Sequence, residues 1–149
     1  MIQMELSKVL ITETSDYQVI WLREKGGERT FPILIGIIEA DAIARKLRDV
    51  KTLRPLTHDL MANVIIGLGA TVDRVVVNSL RKNTFYAKIV LRLNGSSVEI
   101  DSRPSDAVAV AVRLEAPIFV EDHVLEHVCS GTSSPQSEEL PPPDDPTIV

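Results

Sequence analysis

A chain of 149 residues, 44% hydrophobic and 25% charged, has the size and balance of one soluble globular domain with a buried core. No apolar run approaches the roughly 18 residues of a membrane span, residues 1–5 show no secretory leader, and one cysteine, Cys129, excludes an intrachain disulfide and suits a reducing cytoplasm. The net charge of −5 lies mostly in residues 130–149, and the rest, with 17 acidic against 16 basic residues, lacks the global basic field of proteins that bind nucleic acid chiefly by counterion release.

In chain order, residues 4–12 and 17–24 are rich in Val, Ile and Leu and predict two strands, with Ser15-Asp16 as the turn between them. Lys25-Gly26-Gly27-Glu28 is a hairpin signal, because two glycines readily take the positive φ of a tight turn. A two-residue loop there sets Glu24 opposite Arg29 and Leu22 opposite Phe31, with a third strand running to Ile35. After Gly36 the period changes. Ile38, Ala42, Ile43 and Leu47 have helical spacing over residues 37–48. A second helix opens at Thr57-His58-Asp59, its stripe formed by Leu60, Val64 and Leu68 and widened by Met61 and Ile65, and Gly67 and Gly69 mark its end.

Strand character returns over residues 72–77. Residues 84–93 then alternate, Phe85, Ala87, Ile89, Leu91 and Leu93 on one side and Tyr86, Lys88, Val90 and Arg92 on the other. Asn94-Gly95 predicts a two-residue hairpin turn that sets Leu91 opposite Val98 and Ile89 opposite Ile100. The same register sets Lys88 opposite Asp101 and Tyr86 opposite Arg103. A third helix is expected over residues 104–113 with Ala107, Val108, Ala111 and Val112 inward, then a short strand at residues 117–120 and a turn of helix over 121–128. Strands and helices that do not strictly alternate predict an α+β fold. The sheet should be twisted, mostly antiparallel and built from hairpins, with about three helices packed on it. The folded body should span residues 1–129. Residues 130–149, holding five of the nine prolines and four carboxylates, read as a disordered acidic tail.

Two polar segments stand at helix entries, Arg54-Pro55-Leu56-Thr57-His58-Asp59 and Asp101-Ser102-Arg103-Pro104-Ser105-Asp106. Helix punctuation explains Pro55, Thr57 and Asp59, with Thr57 as the N-cap. It explains Arg54 and His58 less well, and histidine suits acid–base chemistry or metal binding near neutral pH. Asp101, Arg103 and Asp106 fall within six residues beside Lys88 and Tyr86. One reading is an exposed ion-pair cluster. The other is a phosphate clamp, with Arg103 binding as a fork and Asp101 and Asp106 holding a divalent cation or acting as base. Glu39 and Asp41 occupy a first helical turn, where carboxylates favour the dipole. Glu39 also has apolar neighbours, which a carboxylate tolerates only when functional or well partnered. No Gly-rich phosphate-loop motif is present, so no nucleotide cofactor is expected. His123 and His127, four apart without a third ligand, are a weak zinc signal.

In order and spacing, Phe31-Pro32-Ile33-Leu34-Ile35-Gly36, Glu39-Ala40, Arg54-Pro55-Leu56-Thr57-His58-Asp59-Leu60, Thr84-Phe85-Tyr86-Ala87 and Asp101-Ser102-Arg103-Pro104-Ser105-Asp106-Ala107 resemble the bifunctional nuclease domain family over about residues 4–128. The sequence departs from the family pattern at Asp49-Val50, where a glycine is common, and at Ser102, where alanine is common. The resemblance implies an α+β fold and nuclease activity on DNA and RNA. It also implies that His58, Asp59, Asp101, Arg103 and Asp106 line one cleft.

The expected function is phosphodiester hydrolysis with little sequence preference. His58 is the expected acid or base. Asp59, Asp101, Asp106 and Glu39 would orient water or hold Mg²⁺ or Mn²⁺, the metal ligands being Asp101 and Asp106. Arg54, Arg103 and Lys88 would neutralise phosphate, and Tyr86 would stack on a base or bind phosphate. The rival readings are a non-catalytic module binding a nucleotide, an anion or a protein, and a structural oligomerising domain. Nucleic acid is the expected partner, no membrane is expected, and exposed strand edges leave room for a homo-oligomer.

Overall fold

The glycine pair at 26 and 27 sets the first register. Gly26 takes φ +76°, and the Glu24 N–H donates to the Arg29 carbonyl at 2.8 Å. Strands β2 (Gln18–Glu24) and β3 (Thr30–Ile35) accordingly pair with Leu22 opposite Phe31. Strand β1 (Ile2–Leu10) pairs antiparallel with β2. The computed structural model describes residues 1–130, so the tail expected over 130–149 lies, beyond its first residue, outside the described residues.

Helix α1 (Ile37–Leu47) follows at once. It is capped by Gly36, with Glu39 in its first turn and Arg45 and Lys46 in its last, as the helix dipole favours. Asp49, just beyond it, adopts φ +54°, the left-handed backbone that glycine takes at least cost.

Helix α2 (Thr57–Gly67) opens at Thr57 as expected, but with Leu56 rather than Thr57 at the cap. The Leu56 N–H donates to Asp59 Oδ2 at 2.9 Å, so the carboxylate in the first turn satisfies the donor and Thr57 is not needed for it.

Strand β4 (Thr71–Arg81) is longer than predicted. It turns through Lys82 and Asn83, both at positive φ, into β5 (Thr84–Leu93). Asn94 and Gly95 then make the predicted hairpin to β6 (Ser96–Ser102), with Leu91 opposite Val98, Ile89 opposite Ile100 and Lys88 opposite Asp101. Helix α3 (Pro104–Leu114), strand β7 (Ile118–Val120) and helix α4 (Asp122–Cys129) complete the described chain. Among the described residues there are therefore four helices, since residues 122–129 form a full helix and not a single turn.

The seven strands form one sheet in the order β3-β2-β1-β7-β4-β5-β6. Helix α3 carries the chain from the β6 edge back to the middle, where β7 enters between β1 and β4. It pairs antiparallel with β1 and parallel with β4, so the sheet is mostly antiparallel, as expected, but mixed through this one parallel pairing. Phe31 of β3 and Phe85 of β5 stack with ring centroids 5.6 Å apart, although four strands separate β3 from β5 in the sheet order. Such a contact requires the sheet to curl strongly.

Helices α1 and α3 pack on each other through small side chains. Ala40, Ala42 and Ala44 are buried on α1, and Ala107, Ala109 and Ala111 on α3. That choice leaves the expected α1 stripe partly outside: Ile43 is buried, but Ile38 and Leu47 are exposed. The α2 expectation is reversed more fully. His58, Ala62 and Ile65 are buried, whereas Leu60, Val64 and Leu68 are exposed.

Candidate functional site

Two helix entries converge. The α2 cap arrangement puts His58 on the inner face of the first turn, where its ring is only 7% exposed. Its Nε2 lies 2.8 Å from Oδ1 of Asp106, in the first turn of α3. Arg103, the residue capping α3, donates Nε to Asp106 Oδ2 at 2.8 Å and Nη2 to Glu39 Oε1 at 2.7 Å. Glu39 belongs to the first turn of α1. A continuous chain Glu39–Arg103–Asp106–His58 therefore links the starts of three helices. Gly36 leaves room for one end of it, because a Cβ at this position would collide with Glu39 Oε2.

The electrostatics are mutually consistent. Burial pushes the Asp106 carboxyl up, but hydrogen bonds from His58 and Arg103, with the charge of the Arg103 guanidinium, outweigh it and hold the group below its ordinary value. Arg103 is raised further by Asp106 and Glu39. With Asp106 ionised, Nε2 of His58 is the donor, and a neutral ring keeps its lone pair on Nδ1. Arg103 combines these anchors with a side chain that is 64% exposed, so its guanidinium is open to an incoming anion.

Asp59 faces another way. Its Oδ1 accepts from Arg113 Nε at 2.7 Å, and Arg113 also donates to the carbonyls of Ala109 and Ala42 at 3.0 and 3.1 Å. That hydrogen bond from Arg113, joined by the Leu56 N–H, holds the Asp59 carboxyl low. Arg113, whose side chain is 7% exposed, is a residue that the sequence pattern did not single out. Its only sequence signal was a basic side chain in the last turn of a helix, a place where helix-dipole attraction accounts for it unaided.

The other expected site residues stand apart from this network. Lys88 pairs with Glu99 at 2.8 Å, and Asp101 across the ladder only adds to the field that raises it. The Tyr86–Arg103 pairing does not form, because the β5–β6 ladder ends at Ala87 and Ser102. Tyr86 lies opposite Ser79 of β4, with the Arg81 guanidinium 4.4 Å from its ring centre. Arg54 is exposed, and its carbonyl accepts from the Thr52 hydroxyl. Asp101 is exposed on the edge strand and shares no hydrogen bond with Asp106, both of whose oxygens are engaged. Among the described residues, no three His, Cys, Asp or Glu side chains are grouped to hold a metal ion. Beside the Asp59–Arg113 pair lies an open groove of about 370 Å³, lined among others by Lys46, Lys51, Asp59 and Asn63.

The model of the bifunctional nuclease domain matches residues 20–132. An uncharacterised protein of Mycobacterium tuberculosis (strain ATCC 25618 / H37Rv), Rv1829, is 40% identical over 117 residues, 78% of this chain and 70% of that protein. Bifunctional nuclease 2 of Oryza sativa subsp. japonica is 31% identical over 114 residues, 74% of this chain and 35% of that protein. Bifunctional nuclease 1 of Arabidopsis thaliana is 25% identical over 133 residues, covering 82% of this chain and 41% of the plant protein. The chain thus spans well under half the length of these plant relatives. With a domain model that covers most of the folded body, this chain belongs to the bifunctional nuclease domain family.

Proposed function

We propose that this protein hydrolyses phosphodiester bonds of nucleic acid, DNA and RNA alike, with His58 as the proton-transferring group. The observation that carries the reading is the Glu39–Arg103–Asp106–His58 chain, in which a buried histidine is oriented by a carboxylate beside an exposed arginine. Asp106 holds the imidazole in one tautomer. His58 accepts a proton from water as the water oxygen attacks phosphorus, and returns it to the departing ester oxygen. Arg103 neutralises charge on the phosphate, and Glu39 keeps its fork in place. Names of plant relatives and membership of the family support the nuclease class. The single cysteine supports action in a reducing cytoplasm.

A second reading, a non-catalytic anion- or protein-binding module, is favoured by one observation: Arg103 is already neutralised by two carboxylates. Purified protein assayed on single- and double-stranded DNA and RNA decides between them, with Mg²⁺, with Mn²⁺ and with chelator. His58→Ala and Asp106→Asn should each lower the rate by about 100-fold or more, the usual loss of a general base or its orienting partner. Parental rates in both variants would assign the cleavage to another site or a contaminant.

A further inference from the structure

Residues 45–54 carry five of the chain's 16 basic side chains, Arg45, Lys46, Arg48, Lys51 and Arg54, against one acidic side chain, Asp49. In a body whose charges nearly balance, this is a concentration of one sign. Helix-dipole attraction covers Arg45 and Lys46 in the last turn of α1, and Arg45 is also tied to Asp41 at 2.7 Å. That attraction fades beyond the last turn, so it does not reach Lys51 and Arg54. Elsewhere Arg23, Arg29, Arg74 and Lys88 each pair with a carboxylate. Among the described residues, Lys46, Arg48, Lys51 and Arg54 are exposed and have no such partner. Lys46 and Lys51 line the groove of about 370 Å³, and a second hollow of about 270 Å³ shares Lys46, Asp59 and Asn63 with it and reaches Arg113. The two form one trough beside α2. Of its two carboxylates, Asp59 is engaged by Arg113, and Asp49 stands against four unpaired cations. The trough also meets the entry of α2: Pro55 and Asp59, both on its wall, flank His58 in sequence.

We infer that Lys46, Arg48, Lys51 and Arg54 hold the backbone phosphates of a single strand of nucleic acid that leads to His58 and Arg103. The identity of the polyanion rests on the nuclease reading above. The partner carries repeated negative charge, because the unpaired cations are spread along the chain from the end of α1 to the residue before Pro55. It also runs past the groove rather than ending in it, since Arg48 and Arg54 lie outside the groove lining. A phosphate backbone meets both conditions. The apolar side chains among the cations select a single strand. Leu53 is fully exposed, and Val50 and Pro55 line the groove. An unstacked base can lie against them, whereas the bases of a duplex are stacked inside it. An anionic membrane would match the cations and Leu53, but a plane of headgroups makes no use of a trough that leads to the α2 entry.

Fluorescence anisotropy of a labelled polythymidylate oligonucleotide with the full chain tests this, in chelator and with a gel to check that the oligonucleotide stays intact. Each phosphate contact on a single strand adds about 0.7 to the slope of log affinity against log salt. Four contacts add about 2.8, so parental affinity should fall about 50-fold or more between about 50 and 200 mM salt. Lys51→Gln with Arg54→Gln should reduce the slope by about 1.4 and lower the affinity about 10-fold at the lower salt. Lys25→Gln with Lys82→Gln makes the same change in net charge at exposed residues that do not line the trough, and should leave both quantities within about twofold of the parent. All four side chains are exposed, so far-ultraviolet circular dichroism should match the parent in both variants. A parent that does not bind would overturn the proposal, as would equal weakening by the two pairs, or a duplex bound more tightly than its own strand. So would phosphatidylcholine–phosphatidylglycerol vesicles bound through Lys51 and Arg54 in place of the oligonucleotide. Binding through Lys51 and Arg54 without any cleavage would remove the nuclease reading and keep the strand site. Cleavage that needs His58, with KM unchanged in the Lys51–Arg54 variant, would remove the strand site and keep the nuclease reading.

Discussion

Asp106 accepts hydrogen bonds from His58 and Arg103 on opposite oxygens, and this governs how the residue responds to acid. Its folded pKa is depressed, as is that of Asp59. A carboxylate depressed in this way contributes stability above its unfolded value of about 3.9, and loses that contribution as pH falls through the folded value. Asp106→Asn should therefore cost about 1–3 kcal/mol at pH 7, the usual range for a lost hydrogen bond to a charged group. The gap between parent and variant should narrow below about pH 4, where the parent's own carboxyl becomes protonated. Urea denaturation at pH 7, 5 and 3 measures it. A gap of constant size would mean that Asp106 contributes by shape alone.

Three helices meet at Arg113, and no local pattern announced it. Its guanidinium uses three nitrogens on three elements: Nε on Asp59 of α2, Nη1 on the Ala109 carbonyl within α3, and Nη2 on the Ala42 carbonyl of α1. Because Asp59 also holds the Leu56 N–H, Arg113 indirectly fixes the start of α2 and with it the placement of His58. Arg113→Met leaves Asp59 without its cation and removes a donor from the Ala42 carbonyl. Removing one partner of a buried ion pair costs about 3–5 kcal/mol, and a carboxylate that is 35% exposed lowers the expectation here to about 2–3 kcal/mol. Arg113→Lys should recover only part of this, since an ammonium keeps the charge but not the planar fork. Chemical denaturation of both variants ranks them. Equal loss in the two would show that the geometry of the fork matters and the charge does not. The site was legible to the same degree as its local signals. Histidine and carboxylates beside helix starts marked His58, Glu39, Asp59, Arg103 and Asp106. Asp101, Lys88 and Tyr86 were grouped with them because they flank one hairpin. Yet Lys88 found a nearer diagonal partner in Glu99, and the chain leaves the ladder before Arg103.

Across the whole molecule, the two hairpin units were legible because Gly26-Gly27 and Asn94-Gly95 set their registers within a few residues. What joins them was not. Strand β7 has three residues, and its partners lie at Ile2–Leu10 and Thr71–Arg81, so no period or turn residue nearby encodes its place. The curl of the sheet is likewise non-local and brings Phe31 of β3 onto Phe85 of β5. Phe31 is 2% exposed, and Phe31→Ala should cost about 3–5 kcal/mol through lost burial and the cavity left behind. Phe85 is only partly buried, and Phe85→Ala should cost less. The rings touch, so the two losses should not add. A stacked pair is worth about 0.5–1.5 kcal/mol beyond its area, and the double variant should fall short of the summed single losses by about that amount. Equilibrium denaturation of the two single variants and the double variant, with the denaturant slope monitored for a change in two-state behaviour, gives the coupling directly. Full additivity would mean that the curl is held by the helices packed on the sheet and that the ring contact is incidental to it.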